Sequence, residues 1–464
     1  MTAGSSWFSI PDIIPGPAVN KELSMAQSIS YEEAAALAKS GDADAQYALS
    51  SVLHQRGRFD ESVHWLRLAA AQKLIAAQMT LAVMLIDGRR CPRDRHQAIA
   101  LLQPLAATHI QANLLLGELH GFAALQMDDR DTGLRYLLAA ARMGDAGALR
   151  QLALLSACHR RWDLIRPLLD ASARRGDAAA AYALAWCYAE GIGGAPDPSH
   201  AAAISRSEAA RTQYLGRRLE EHLRKPKPAS PVTGQRSVMN INWLLLEEAL
   251  PQFASYIRPP TAETLHDSPL IRRLPGVIHP LVLDAVINLA APLVQPSQIV
   301  DARTGEVRAD PMRNSWHVTL SPRQHDHVLE ALERCISGVS GIPQLNGEFL
   351  QILRYRVGEE FRPHVDYFNE SGAGVQQSLA DGGQRAQTVL MYLNDDYGGG
   401  GTSFPALRLG VKGRRGDLLH FHNLGADGRG HKDSLHAGMP VTAAEKWLLS
   451  QWIRSEVHPA RRTW

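Results

Sequence analysis

Five alanines, Ala45, Ala77, Ala112, Ala148 and Ala181, recur at spacings of 32, 35, 36 and 33 residues, each inside a version of one apolar helix. The versions read DADAQYALSSVL (42–53), AAQMTLAVMLIDG (76–88), QANLLLGELHG (111–121), GALRQLALL (147–155) and AAAYALAWCYAEG (179–191). In the first, Ala45, Ala48, Leu49, Val52 and Leu53 fall at i, i+3, i+4, i+7 and i+8, the apolar stripe of a packed helix. Partner segments such as ESVHWLRLAAAQ (61–72) and GLRYLLAAARMGD (133–145) lie between them. A two-helix unit of this size cannot bury its apolar face alone and must stack on its neighbours. Small alanines at the crossings let those neighbours approach. Residues 31–223 are thereby committed to an α-helical repeat solenoid.

The period and the alanine–glycine texture resemble the tetratricopeptide-like superfamily, most of all its Sel-one-like branch, which implies a surface for binding a partner protein. The reading of this half as a scaffold alone stays open. Residues 1–30 form a tail with no basic segment followed by an apolar run. RKPKPASPVTGQRS (224–237) is proline-rich and polar, so 224–267 is expected to be a linker plus a connecting helix, VMNINWLLLEEALPQFASYI (238–257). Trp243, Leu244 and Leu245 are the residues expected to pack that helix onto a domain, and the linker predicts separable halves. The four cysteines are scattered and form no CxxC pair, which speaks against a zinc site or a disulfide framework and for a reducing compartment. A net charge of +2 gives no field that would point to nucleic acid or to a membrane surface. No stretch reaches the roughly 18 apolar residues that span a bilayer, so the expected location is cytoplasmic.

After residue 268 the chain changes to short alternating strands broken by glycine: FLQILRYRV (349–357), QTVLMYLN (387–394), GDLLHFHNL (416–424) and EKWLLSQWIR (445–454). That texture predicts an all-β sandwich or barrel over 268–457. Within FRPHVDYF (361–368), His364 and Asp366 point to one face of an extended chain and can reach one ion. SLHAGMPV (434–441) supplies His436 as a third ligand. Two histidines and one carboxylate make a facial triad with three open positions, which suits Fe(2+) because a bidentate oxoacid and dioxygen (O2) fit there together. Lys446, ten residues on, lies on a strand that places Trp452 on the same face, and its ammonium can meet the distal carboxylate of 2-oxoglutarate.

An ordered set of segments resembles the collagen-type prolyl 4-hydroxylases, members of the 2-oxoglutarate/Fe(II) dioxygenases. These are PLIRRLPGVIHPLVLDAVINLA (269–290), similar to that family's opening helix, VDARTGEVRADPMRNS (300–315), LQILRYRVGEEFRPHVDYF (350–368), GGQRAQTVLMYLND (382–395), GGGGTSFP (398–405), KGRRGDLLHFHN (412–423) and SLHAGMPVTAAEKW (434–447). The resemblance implies a double-stranded β-helix (jelly-roll) that hydroxylates prolyl residues of a protein or peptide at the 4-position, with ascorbate as reductant. It implies His364, Asp366 and His436 as iron ligands, and Lys446, Thr402 and Tyr355 as contacts to 2-oxoglutarate. Arg385 and Trp452 match positions that line the peptide-binding side.

Two departures stand out. Phe361 occupies a position where the family has tyrosine, so a contact to a substrate hydroxyl is lost there. The Gly-Gly-Glu-Thr turn reads Gly-Gly-Gly-Thr over 399–402. Two other functions stay open: hydroxylation of a free amino acid or small peptide in natural-product assembly, and a repeat-based adaptor with an inactive barrel, against which the intact triad and Lys446 argue. Among the other histidines, the His431–Asp433 pair sits in a polar loop and His420 and His422 are expected to be satisfied strand residues. His325 and His327, in SPRQHDHVLEAL, are expected to cap a helix or face solvent. Arg313, Asn314 and Ser315 read equally as a structural turn or as functional residues.

Overall fold

Aspartates start the repeat helices. Asp42 and Asp94 accept hydrogen bonds from the amides of Ala45 (2.7 Å) and Gln97 (2.8 Å). Asp129, Asp145, Asp177 and Asp197 do the same for Thr132, Ala148, Ala180 and His200. Each cap satisfies an amide that the first helical turn leaves without a carbonyl. The computed structural model describes residues 31–88, 90–122, 129–224, 239–300, 307–309, 312–368, 373–458 and 461. The tail over 1–30, nearly all of the polar linker and much of the 300–315 segment lie outside these residues. The chain forms two compact units, Met1–Leu119 and His120–Trp464.

The first unit holds helices Tyr31–Lys39, Ala43–Gln55, Phe59–Ala71, Ile75–Asp87 and Arg95–Leu102. The repeat alanines and leucines form its core: Ala38, Ala45, Leu49 and Leu53 cluster, and Ala77, Ala82 and Leu85 are fully buried. Ser50 and Ser62 donate to each other's backbone carbonyl, both at 2.8 Å, and so join two helices.

The second unit continues the helices with Arg130–Arg142, Ala146–Cys158, Trp162–Ala173, Ala178–Glu190, Pro198–Ser205, Gly216–Arg224 and Trp243–Ala254, and then turns to strands. The strands are β1 (Glu263–Asp267), β2 (Leu270–Leu274), β3 (Gln295–Pro296), β4 (Gln298–Val300), β5 (Val307–Ala309), β6 (Trp316–Thr319), β7 (Gln351–Tyr355) and β8 (Phe361–His364). They continue as β9 (Arg385–Tyr392), β10 (Gly398–Gly399), β11 (Thr402–Phe404), β12 (Leu409–Val411), β13 (Leu418–His422), β14 (His436–Gly438), β15 (Val441–Ala443) and β16 (Lys446–Arg454). An antiparallel sheet in the order β1-β2-β13-β9-β16-β7-β6-β3 faces a smaller one in the order β12-β11-β14-β8, the two walls of a jelly-roll. Between them lies an apolar core that includes Leu353, Tyr355, Leu390, Tyr392, Phe404, Phe421 and Leu448. On β9, Leu390 and Tyr392 face this core, and period-2 alternation puts Thr388 on the same side.

Helices of the second unit are built into the barrel's back. Asp284, on helix Pro280–Ala290, accepts from the Tyr182 hydroxyl at 3.1 Å and pairs with Arg415. Asn288 accepts from the Leu215 amide at 3.0 Å. Arg334, on helix His327–Ser340, donates to the carbonyls of Ala254 (2.6 Å) and Phe253 (3.1 Å). Tyr214 packs edge-on against Trp447, ring centroids 5.4 Å apart, and hydrogen-bonds Glu445. The division between compact units thus falls at Leu119/His120, well before the proline-rich linker.

Three expectations need correction. His325 and His327 are buried, with both rings edge-on to Phe122 at 4.9 and 5.0 Å. The cap they were expected to provide comes from Asp326, which accepts from the amides of Val328 and Leu329 at 2.9 Å. In the connecting helix Leu244 is exposed, and Leu246, Ala249, Leu250 and Phe253 make the buried face. Of 269–290, only Pro280–Ala290 is helical; the start is β2.

Candidate metal centre

The register of two strands brings the site together. His364 ends β8 and His436 begins β14, and the two are directly paired across the small sheet. Their rings lie 4.3 Å apart. Asp366, two residues beyond His364, turns its carboxylate into the barrel and is buried. One donor atom from each of the three lies within 4.8 Å of the others. Asp366 Oδ1 is 3.5 Å from Nε2 of His364, and Oδ2 is 3.6 Å from Nε2 of His436. Metal–ligand bonds of about 2.1 Å meeting at right angles put donor atoms roughly 3 Å apart, so little closing is needed.

The tautomers are set by backbone. Nδ1 of His364 donates to the Arg362 carbonyl (2.8 Å) and Nδ1 of His436 to that of Ser434 (3.0 Å). A carbonyl only accepts, so both Nδ1 atoms carry the proton and both Nε2 atoms present a lone pair. Nε2 of His364 is buried without a hydrogen-bond partner. Burial works against a charged Asp366, yet His436, His364 and Thr388 together hold its carboxyl well below the usual range. Burial lowers the His436 pKa despite Asp366 nearby. Two neutral imidazoles and one carboxylate are the donor set that a divalent transition metal takes. The residues fit the ion.

A second cluster, His325, Glu330 and Glu333, has comparable spacing. There Arg461 and Gln344 bind the Glu333 carboxylate and Glu330 binds His325 at 3.0 Å, so it reads as an internal ion-pair network. His431 accepts from the Asp433 amide within its loop. His420 is enclosed by Arg272 (3.0 Å) and Gln387 (2.7 Å), and burial, with Arg272 and His422, pushes its pKa down to about 3. It is the satisfied strand histidine its sequence context suggests.

The triad lines one cavity with Lys446, Tyr355, Thr402, Phe361 and Trp452. Lys446 opposes Tyr355 in the β16–β7 register and is 2% exposed, its ammonium 5.3 and 5.6 Å from the rings of Tyr355 and Tyr392. Burial, with Lys412 adding to it, pushes Lys446 down to about 7. Among the described residues no carboxylate forms an ion pair with it. Thr402 shares a hydrogen bond of 3.0 Å with the Tyr392 hydroxyl. Phe361 lies flat on the His364 ring at 3.5 Å. Arg385 stands outside the cavity lining, stacked on Trp452 at 3.5 Å and held by Glu348 at 2.7 and 2.9 Å. The glycine-rich turn needs left-handed backbone at Gly399 (φ 62°) and Gly400 (φ 65°), while Gly401, where the family's acid would stand, has no such demand.

Arg313 lines the cavity and its guanidinium lies 5.3 Å over Phe361. Asn314 accepts from the Glu360 amide at 2.7 Å, which ties the Arg313–Ser315 turn to β8. Sequence reasoning missed Thr388, buried against Asp366, and Asn423, buried against Thr388. The available signal was a threonine on the inward face of β9, where its neighbours at period 2 are Ala386, Leu390 and Tyr392.

Comparison with known proteins agrees with this arrangement. Residues 350–454 match the 2OG-Fe(II) oxygenase superfamily, and residues 43–74, 75–107, 110–145 and 178–203 match the Sel1 repeat. Prolyl 4-hydroxylase 1 of Arabidopsis thaliana is 33% identical over 208 residues, which cover 42% of this chain and 72% of that protein. Prolyl 4-hydroxylase 5 of the same plant is 38% identical over 187 residues, 36% of this chain and 62% of the relative. Part of each relative thus has no counterpart in the matched region. A solved viral collagen prolyl hydroxylase from Paramecium Bursaria Chlorella virus-1 aligns with 40% of this chain and 95% of its own at 25% identity and TM-score 0.32, too weak a likeness to add to these matches. Among the described residues no helix is long and apolar enough to cross a membrane. By its barrel and by these relatives, the chain belongs to the prolyl 4-hydroxylase family and is a 2-oxoglutarate-dependent dioxygenase.

Proposed function

We propose that the protein hydroxylates prolyl residues of a protein or peptide at the 4-position, consuming 2-oxoglutarate and O2 and releasing succinate and CO2. The observation that carries this reading is the joint lining of one cavity by the donor triad and a buried lysine that pairs with no carboxylate among the described residues. His364, Asp366 and His436 would hold Fe(II), with ascorbate as its reductant. The ion, when bound, supplies the dioxygen activation that couples oxidative decarboxylation to C–H hydroxylation. Lys446 binds the distal carboxylate of 2-oxoglutarate, and Thr402 and Tyr355 present hydroxyls to the same molecule. The apolar walls, Leu353, Leu390 and Leu448, keep water from the reacting centre. Arg385, Trp452 and Phe361 form the side that receives the proline-bearing segment. The helical repeats recruit the protein that carries it.

The reading is tested by comparing proteomes of the host with and without the protein for prolines that gain one oxygen. Gains confined to strains that carry it are expected. Oxidation of a free amino acid or small peptide, with no proline site in protein, would move the function to the small-substrate class.

Lys446 gives two sharper expectations. Lys446→Ala removes a charge-assisted contact from a buried site, worth roughly 2–5 kcal/mol, so 2-oxoglutarate binding should weaken about 30-fold or more while metal binding persists. A loss under twofold in calorimetric titration would reassign the cosubstrate cation. The second expectation concerns pH. Empty, the folded protein has a lysine that titrates near 7, well below its ordinary 10.5. An arriving carboxylate favours the ammonium, so binding above pH 7 takes up a proton and weakens by up to about tenfold per pH unit. Affinity should therefore be flat below pH 7 and fall between 7 and 9. The same linkage makes the empty protein gain stability as pH rises from 7 toward 10.5, because the unfolded chain keeps the proton that the folded one has lost.

A further inference from the structure

We propose that Thr388, oriented by Asn423, is a positioning residue that holds Asp366 to coordination through one oxygen and so keeps three metal positions open. Thr388 lies in the middle of β9, between β13 and β16, on the face toward the cavity. Its hydroxyl is 2.6 Å from Asp366 Oδ2. Behind it, Nδ2 of Asn423 is 2.9 Å from the same hydroxyl. Thr388 is 1% exposed and Asn423 is fully buried, so water does not compete for either contact. Asn423 is itself pinned by backbone: its amide donates to Ala386 and its carbonyl accepts from His431, both at 2.8 Å.

The hydrogen bonds can run in one direction only. An ionised carboxylate accepts and cannot donate, so the single Thr388 proton goes to Asp366. The hydroxyl oxygen is then left to accept, and Asn423 must present its amide NH2. This chain of donors ends on Oδ2 of Asp366, draws on one of that oxygen's lone pairs and so leaves Oδ1 the better metal donor of the two. A carboxylate bound through both oxygens would fill two positions and leave two. A bidentate oxoacid together with dioxygen needs three.

A methyl group in place of the hydroxyl would let the carboxylate rotate. Outer partners of metal ligands commonly carry a 10–100-fold share of metal affinity, and a buried, directional one is placed to do so.

The inference rests on the triad being a metal site, and the experiment separates the two. Co(II) is titrated into metal-free full-length protein, following affinity calorimetrically and coordination by the visible absorption of the bound ion. Wild type must bind one Co(II); if it does not, the metal reading itself is wrong. Given binding, Thr388→Val is expected to weaken Co(II) about 10–100-fold and to change the visible spectrum. Thr388→Ser, which keeps the hydroxyl, should return affinity to within about threefold of wild type with an unaltered spectrum. Wild-type affinity and spectrum in Thr388→Val would overturn the proposal. So would a serine variant as impaired as the valine one, because the methyl's packing would then be what mattered. Should Thr388→Val fail to fold, as judged by its thermal melt, Asn423→Ala decides: it leaves the threonine undirected, so a weakened and spectrally altered site supports the relay and an unchanged one refutes it.

Discussion

Alanine at His436 should leave no measurable conversion of 2-oxoglutarate to succinate in a protein that still folds. His436 is one of three donors, and its Nε2 lone pair faces Asp366 across 3.6 Å. With it gone, two donors remain, too few to hold a divalent ion against water at working concentrations. His364→Ala and Asp366→Ala should behave alike in turnover and differ in stability. In the metal-free protein Asp366 is the acceptor of Thr388 and the charge beside two imidazoles, so its removal takes the acceptor from the buried Thr388 hydroxyl. His364→Ala mainly removes a ring stacked on Phe361 and tilted against His436. Succinate release, metal titration and thermal melting of the three variants check this. A variant with an unaffected rate takes that residue out of the site.

The second large effect concerns truncation. A chain beginning near Pro269, where the linker suggests a domain start, is expected to lose its folded barrel, and one beginning near His120 to keep 2-oxoglutarate turnover. The compact unit that contains the barrel begins at His120. Cutting at Pro269 removes Tyr182 from Asp284, and Ala254 and Phe253 from the buried Arg334. It also removes helix Ala146–Cys158, which packs against the same helix as Arg334. A lost hydrogen bond to a charged group costs about 1.5–3 kcal/mol. Several together, with the apolar faces, reach the roughly 5–15 kcal/mol that holds a domain folded. Circular dichroism melts and succinate release distinguish the two chains. A stable, active Pro269 chain would make the helices from Arg130 to Ala254 a passenger on the barrel.

What could be read in advance had a periodic or local signature. The alanine spacing exposes the repeats because stacking recurs at every unit. His364 and Asp366 betray themselves by the period of a strand, and His436 and Lys446 by their order downstream. What could not be read depends on a partner far away in sequence. His325 and His327 look exposed because they flank a helix start, a polar place in general, yet Phe122 covers them. Leu244 and Leu246 are the same residue type two positions apart, and only the helix phase against its neighbours decides which is buried. Asn423 looks like a turn residue after β13; its meaning comes from Thr388, 35 positions earlier. The linker is a related case: proline and charge mark an irregular segment without telling whether the pieces on either side adhere.

The strand pairing that assembles the triad also says where a metal-starved molecule weakens. β8 is the outermost strand of the small sheet, held by β14 on one side and, among the described residues, by a bridge between Phe361 and Arg313 with the Asn314–Glu360 bond beside it on the other. Outer strands fray first, and this one bears His364, with Asp366 just beyond its end. An ion shared with His436 would therefore act as a rivet through the rim of the barrel. Without it, amide protection should vanish first around 361–368, and a protease should find the chain there. Scarcity of iron would then shorten the life of the protein as well as silence it, tying the abundance of the enzyme to the supply of its metal.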